Sequence, residues 1–199
     1  MGKKDKNKGK KSKQEAANPL VILTLAEQEG CENPREFPFY EEYHDSSYII
    51  SHDRRSNVSL KDPGEDRVYC LYNDIQKELV VYHIDGGLLN KTKAGDNKCD
   101  FGIYTEDELL ILIELKGTDC RKAIQQIVST IKNLGLEHGS KIKKLLARVV
   151  VSSGRNVPNI RESDTTKLKQ TIAHYNGGFK QEYILIKSRK LEETLSKIQ

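Results

Sequence analysis

One grouping of side chains has types and a spacing that could do chemistry: Asp100, then Glu114-x-Lys116 closing the apolar run Leu109-Leu110-Ile111-Leu112-Ile113. Successive strand residues point to opposite faces. Glu114 and Lys116 therefore share one face, and Ile111, Ile113 and Leu115 the other. Charges at the end of so apolar a run cost desolvation free energy unless they are paired or hold an ion. Asp100 falls on the preceding strand. With Glu106-Asp107-Glu108 as the turn, Thr105 faces Leu109, Ile103 faces Ile111, Phe101 faces Ile113 and Asp100 faces Glu114. The spacing thus predicts two carboxylates and a lysine on one patch of sheet. A surface ion pair between Glu114 and Lys116, worth about 0–1 kcal/mol, explains one pair but not the third charge in register.

The elements that must position these residues follow from periodicity and turn chemistry. Val68–Tyr72 and Leu79–Ile84 alternate as strands around a turn at 73–77, and Asp85-Gly86-Gly87 ends the second. A polar loop over 90–97 leads to the Asp100 strand. This predicts an antiparallel meander of about four strands. Thr118 or Asp119 can cap the next helix, whose stripe is Ile124, Ile127, Val128, Ile131 and Leu134, and Gly135 ends it. Leu145–Val151 is continuously apolar, the pattern of a strand covered on both faces. Strand, helix and buried strand make a parallel crossover, expected to be right-handed. A helix from Asp164 or Thr165 to about Tyr175, a strand over 183–186 and a closing helix over 190–199 complete the chain. Upstream, Leu20–Glu29 reads as helix or strand. Residues 30–66 read as irregular, with a short strand at Tyr48-Ile49-Ile50. Phe37, Phe39, Tyr40, Tyr43 and Tyr48 suit packing under a long loop, or a platform on which bases stack. Arg54 and Arg55 suit a solvated face or a phosphate contact.

Asp100…Glu114-x-Lys116, on two strands followed by a helix and a buried strand, resembles the PD-(D/E)xK nuclease superfamily over about residues 78–153. The resemblance implies an α/β (α+β) fold with a restriction-endonuclease-like core. That core is a mixed sheet of an antiparallel meander plus a parallel strand added by a βαβ crossover, with flanking helices. It implies a metal-dependent endonuclease that hydrolyses DNA phosphodiester bonds in restriction, repair or defence. Asp100 and Glu114 would hold Mg²⁺, with Mn²⁺ as the alternative, and the Leu115 carbonyl would add a ligand. Mg²⁺ takes one or two carboxylates in an otherwise watered oxygen shell. Lys116 would stand by the attacking water and stabilise developing negative charge. Superfamily members also carry a helix glutamine. Gln125 and Gln126 both flank the stripe, and Ala-x-x-Gln patterns favour Gln126, after Ala123; two solvated helix residues are the plain alternative. For the family's upstream acid, Asp85 and Glu65 are candidates and neither is chosen. His83 lies near the site, where packing explains it; His138 and His174 have no constellation.

Charge and composition bound the rest. Of 33 basic and 29 acidic residues, residues 1–13 hold seven Lys and one Asp, leaving 26 and 28 for the body. A uniformly cationic surface is therefore excluded for the body. Residues 1–18 read as a disordered lysine-rich tail, either a salt-sensitive tether to phosphates or a solubiliser, and 19–199 as a single domain. No apolar run reaches 18 residues and no signal peptide is legible, so an intracellular (cytoplasmic) protein is expected. The four cysteines form no CxxC pair or zinc spacing and read as reduced thiols. The expected partner is nucleic acid, DNA before RNA. Target choice would come from the 30–66 region, the C-terminal elements, a homodimer or a partner protein. The competing reading is a non-catalytic nucleic-acid-binding module with the same fold and a lysine tether, since fold alone does not carry activity.

Overall fold

The computed structural model describes residues 38–89, 97–136, 142–152 and 162–199, all within one compact unit. The lysine-rich tail, the 20–29 stretch, Phe37, Cys31, His138 and most of the 90–97 loop lie outside the described residues. After a short helix α1 (Pro38–Glu42) come strands β1 (Ile49–Asp53), β2 (Asn57–Leu60), β3 (Val68–Tyr72), β4 (Leu79–His83), β5 (Phe101–Thr105) and β6 (Leu109–Lys116). Helix α2 (Cys120–Asn133), strand β7 (Lys144–Val151), helix α3 (Glu162–Asn176), strand β8 (Ile184–Ser188) and strand β9 (Lys190–Thr194) follow. A six-stranded sheet has the order β1-β4-β5-β6-β7-β8, and a three-stranded sheet the order β2-β3-β9. The fold is mixed α/β: β1, β4, β5 and β6 are antiparallel, whereas β7 joins β6, and β8 joins β7, in parallel.

The core is the run of apolar strands anticipated from sequence. Leu79–Tyr82, Ile103, Leu110–Ile113, and Leu145–Val151 are buried throughout. Asp119 caps α2, its carboxylate accepting from the Lys122 N–H at 2.9 Å, and Gly135 follows the helix at φ 65°. Phe39 is buried in a cluster with Tyr43, Tyr82 and Tyr104, with ring centroids 4.7–5.6 Å apart. The described upstream aromatics, Phe39, Tyr40, Tyr43 and Tyr48, are thus packing groups here.

Three expectations need correction. The four antiparallel strands of the main sheet include β1, not β3. The 73–77 segment does not pair β3 with β4, because buried Asn73 closes the turn on itself and ties it to the Arg55–Ser56 main chain. Its amide donates to the Arg55 and Lys77 carbonyls at 3.0 and 2.7 Å, and its N–H to the Ser56 carbonyl at 2.8 Å. The chain changes sheets there. Second, the described part of the 30–66 region, residues 38–66, is not irregular. It holds α1, β1 and β2, whose alternation is masked by exposed charges such as Asp53, Arg54 and Arg55. Third, residues 190–199 do not form a helix. Lys190–Thr194 is β9, parallel to β3, followed by one tight turn at Leu195–Lys197. Leu191, Glu193 and Leu195 point inward at the strand period, and Glu193, an acid in an inward position, disguised that period.

Arg148 explains why position 193 is acidic. Arg148 of β7 is 1 % exposed; its Nε donates to Glu193 at 2.6 Å, and its Nη1 to the carbonyls of Ala147 and Tyr183. The Tyr69 hydroxyl of β3 also donates to Glu193, at 3.1 Å. The pair joins the two sheets through their facing sides. Glu193→Ala leaves a buried guanidinium without its counter-charge and should cost about 3–5 kcal/mol in urea unfolding. A loss below about 1 kcal/mol, the range of an exposed pair, would mean the link does not hold the sheets together.

Candidate functional site

Strand β6 carries Glu114 and Lys116 to its carboxyl end, where Glu114, Leu115 and Lys116 still pair with Val149, Val150 and Val151 of β7. The region beyond the carboxyl ends of parallel strands is where open α/β sheets hold ligands. The β5–β6 register is the one read from sequence: Phe101 faces Ile113 and Ile103 faces Ile111. Asp100 immediately precedes β5, one step further along that register. Its main-chain oxygen accepts from the Ile84 N–H at 2.9 Å, and its Oδ2 accepts from the Leu115 N–H at 2.7 Å. The carboxylate thus stands where the next sheet bond would form. The N–H and C=O of an extended residue point to the same neighbour, so the Leu115 carbonyl also faces the Asp100 side.

Glu114 is 1 % exposed, and among the described residues neither of its carboxyl oxygens has a hydrogen-bond partner. Lys116 Nζ lies 3.4 Å from Oε1, close enough to attract but not aligned as a donor. Burial, then the negative charge of Asp100, pushes the Glu114 carboxyl up to about 8 against the pull of Lys116. Burial also raises Asp100, to about 6, although the Leu115 N–H favours its ionised form. Two carboxyls with too little positive charge near them are costly to ionise together. A cation held between them would remove that cost.

The other candidates fall into place around this pair. Gln126 is buried, and its amide donates to the Lys98 carbonyl at 2.7 Å; its own oxygen has no partner among the described residues. One turn on, Thr130 Oγ1 accepts from the Cys99 N–H at 2.8 Å. Helix α2 therefore clamps the segment that delivers Asp100. Gln125 instead lines a surface groove with Arg121 and Lys132. Asp85 is mostly exposed, 4.0 Å from Lys98 Nζ, and Glu65 pairs with Arg67 at 3.2 Å. His83 packs against the Phe101 ring at 5.8 Å. Arg54 and Arg55 are engaged by Glu78, Glu106 and Asp53, and His52 by Glu78.

Asp62 was missed. Its charge raises both Asp100 and Glu114, which puts it within electrostatic reach of the pair. It opens the β2–β3 turn, where Gly64 has φ 79° and the Glu65 N–H returns to the Asp62 carbonyl at 3.2 Å. Asp62-Pro63-Gly64 signals that turn but not its neighbourhood, because the second sheet carries it there. Among the described residues, no group of three or more His, Cys, Asp or Glu side chains is arranged to hold a metal. An ion at Asp100 and Glu114 would need the Leu115 carbonyl and water to complete its shell. No protein-family model matches the chain, and no curated protein or solved structure matches it.

The raised carboxyls set a pH dependence. Glu114 ionises near 4.5 in an unfolded chain and near 8 in the fold. Between those values the unfolded state releases a proton that the folded state keeps, so folding stability falls as pH rises. Below that window Glu114 contributes no penalty, and above it the penalty is complete. In chelator, the parent Tm should decline from pH 5 to 8 more steeply than that of Glu114→Gln. Parallel pH curves for the two proteins would mean Glu114 is not a buried acid.

Proposed function

We propose that this chain is a metal-dependent endonuclease with a restriction-endonuclease-like core, hydrolysing phosphodiester bonds of DNA. The observation that supports it most is Glu114: a buried carboxylate without a hydrogen bond, beside Asp100 and on the same strand end as Lys116. A structural ion pair does not require the second carboxylate, nor a glutamine and a threonine bracing the segment that presents it.

Asp100, Glu114 and the Leu115 carbonyl fit a hard divalent cation, because all are oxygen donors, and Mg²⁺ or Mn²⁺ is the ion to test. When bound, such an ion neutralises phosphate charge and makes bound water a better nucleophile. The protein's own residues do the rest. Glu114, buried in an aliphatic wall, keeps bulk water from competing with the ligand it faces. The Leu115 N–H keeps Asp100 Oδ2 in one orientation and leaves Oδ1 available. Lys116, with a quarter of its side chain exposed, can reach both Glu114 and an incoming phosphate oxygen. Its charge matters more as negative charge grows on the phosphate, so its contribution falls on the transition state. Gln126 acts through the 98–99 segment, as a positioning residue rather than a group on the substrate.

Supercoiled plasmid incubated with Mg²⁺ should be cut, and EDTA should stop it. Lys116→Ala should lower the rate by about 10²–10³-fold while Mg²⁺ still raises the Tm at pH 8. Asp100→Asn should lose that Mg²⁺-dependent rise. Lys116→Ala cutting at the parent rate would reduce Glu114-x-Lys116 to a structural pair. A parent protein that binds DNA but never cuts it would be the non-catalytic module.

A further inference from the structure

At the amino end of β7, away from the paired carboxylates, a cavity of about 440 Å³ opens between β7, β8 and the turn after β9. The charged side chains that line it are Lys144, Arg148, Lys180 and Lys197 against Glu182 and Glu193, an excess of two positive side chains. The carboxylates are already taken. Glu193 accepts from Arg148 and Tyr69, and Glu182 lies 4.0 Å from Lys180. Lys144 has no carboxylate partner among the described residues. Its ammonium lies over the Tyr183 ring at 5.5 Å, and Lys180 approaches the same ring at 5.9 Å. Two ammoniums beside one aromatic ring are held there by its π-system and repel each other.

Arg148 adds the specific element. It is 1 % exposed and fixed by three hydrogen bonds, all through Nε and Nη1. Nη2 donates to nothing among the described residues, although the residue forms part of the cavity wall. A guanidinium locked by its other nitrogens holds a preorganised donor edge, and such an edge suits the oxygens of phosphate. Lys144 is correspondingly pushed below its ordinary value by burial, Lys180 and Arg148, against the opposing pull of Glu182. An anion in the cavity would relieve all three cations together.

We propose that this cavity binds a small phosphate-bearing anion, with Arg148 Nη2 at its floor and Lys144 and Lys180 at its sides. The excess of two charges matches a doubly ionised phosphate or diphosphate group. The Tyr183 ring already carries two ammoniums, so recognition rests on charge and donor geometry rather than on stacking of a base. The floor is recessed among buried side chains, which favours a small molecule over the backbone of a duplex. The site stands whether or not the carboxylate pair is a nuclease centre.

Pyrophosphate is the probe, titrated calorimetrically into the full chain in metal-free buffer at constant ionic strength. Saturable binding at one site is expected, with a matching rise in Tm. Lys144→Ala, a change at a half-buried lysine that leaves the Arg148–Glu193 link intact, should weaken affinity about ten- to a hundredfold, the effect of losing one charge-assisted hydrogen bond. Lys180→Ala should weaken it in the same direction. Lys187→Ala, which removes an exposed lysine outside the cavity, and Asp100→Asn should bind as the parent does. Non-saturable heat would overturn the proposal. So would equal weakening by Lys187→Ala, which is general charge attraction, or loss of binding in Asp100→Asn, which would place the anion at the carboxylate pair.

Discussion

The carboxyl end of β6 is governed by the desolvation of Glu114. An aliphatic strand could end in leucine at no electrostatic expense. Instead it ends with an acid 1 % exposed whose oxygens find no hydrogen bond among the described residues. Lys116 offsets part of this, but Asp100 and Asp62 work against it. A fold keeps such an arrangement only if the surrounding structure outweighs it, and here Leu109–Leu115 and Leu145–Val151 are buried throughout. β6 pairs with β7 along Leu109–Lys116 and with β5 over Leu110–Ile113. The strand's placement is fixed by hydrophobic burial and sheet bonds, so Glu114 cannot swing out to water.

Asp100 is held by a different logic. It belongs to the end of a loop, and loops are the less constrained part of a sheet. Three contacts remove that freedom: Gln126 on the Lys98 carbonyl, Thr130 on the Cys99 N–H and Asp100 itself on the Leu115 N–H. Two come from one face of α2, one turn apart. Helix α2 thereby spans β6 and β7 as a crossover and also braces the incoming segment of β5. The position of the second carboxylate thus depends on helix packing, whereas that of the first depends on the strand.

The register was legible because a period of two leaves little choice once the turn is located. Ile103 and Ile111 must share a face, and that requirement carries Asp100 opposite Glu114. The helix period does not choose between Gln125 and Gln126, and only the family resemblance favours Gln126; its partner was not legible, since Lys98 lies 28 residues earlier in a segment with no pattern of its own. The second sheet was illegible for a sharper reason. β3 reads as a neighbour of β4 because the turn between them is short and polar; only the buried Asn73 side chain, with its three main-chain partners, redirects the chain. β9 reads as a helix because a buried acid looks like a surface residue until its arginine is found on β7. Asp62 inherited both errors, since it rides on the sheet that those residues build.

Charge at the two ends of the main sheet then bears on how a polyanion could approach. Around the carboxyl end of β6 the acids Asp62, Asp85, Asp100 and Glu114 outnumber Lys98 and Lys116. With every acid ionised, that patch carries two more negative than positive charges, and a phosphate backbone would be repelled. One divalent cation brings the same patch to balance. On the proposed reading, the ion is therefore a condition for the substrate to settle at the site, before it is of any use to the chemistry. The raised acidities of Glu114 and Asp100 express the same deficit in protons: without a cation, the site reduces its charge by holding hydrogen ions. Proton release and metal binding are then linked wherever Glu114 still holds its proton, below about pH 8, because an ion taken up there displaces that proton.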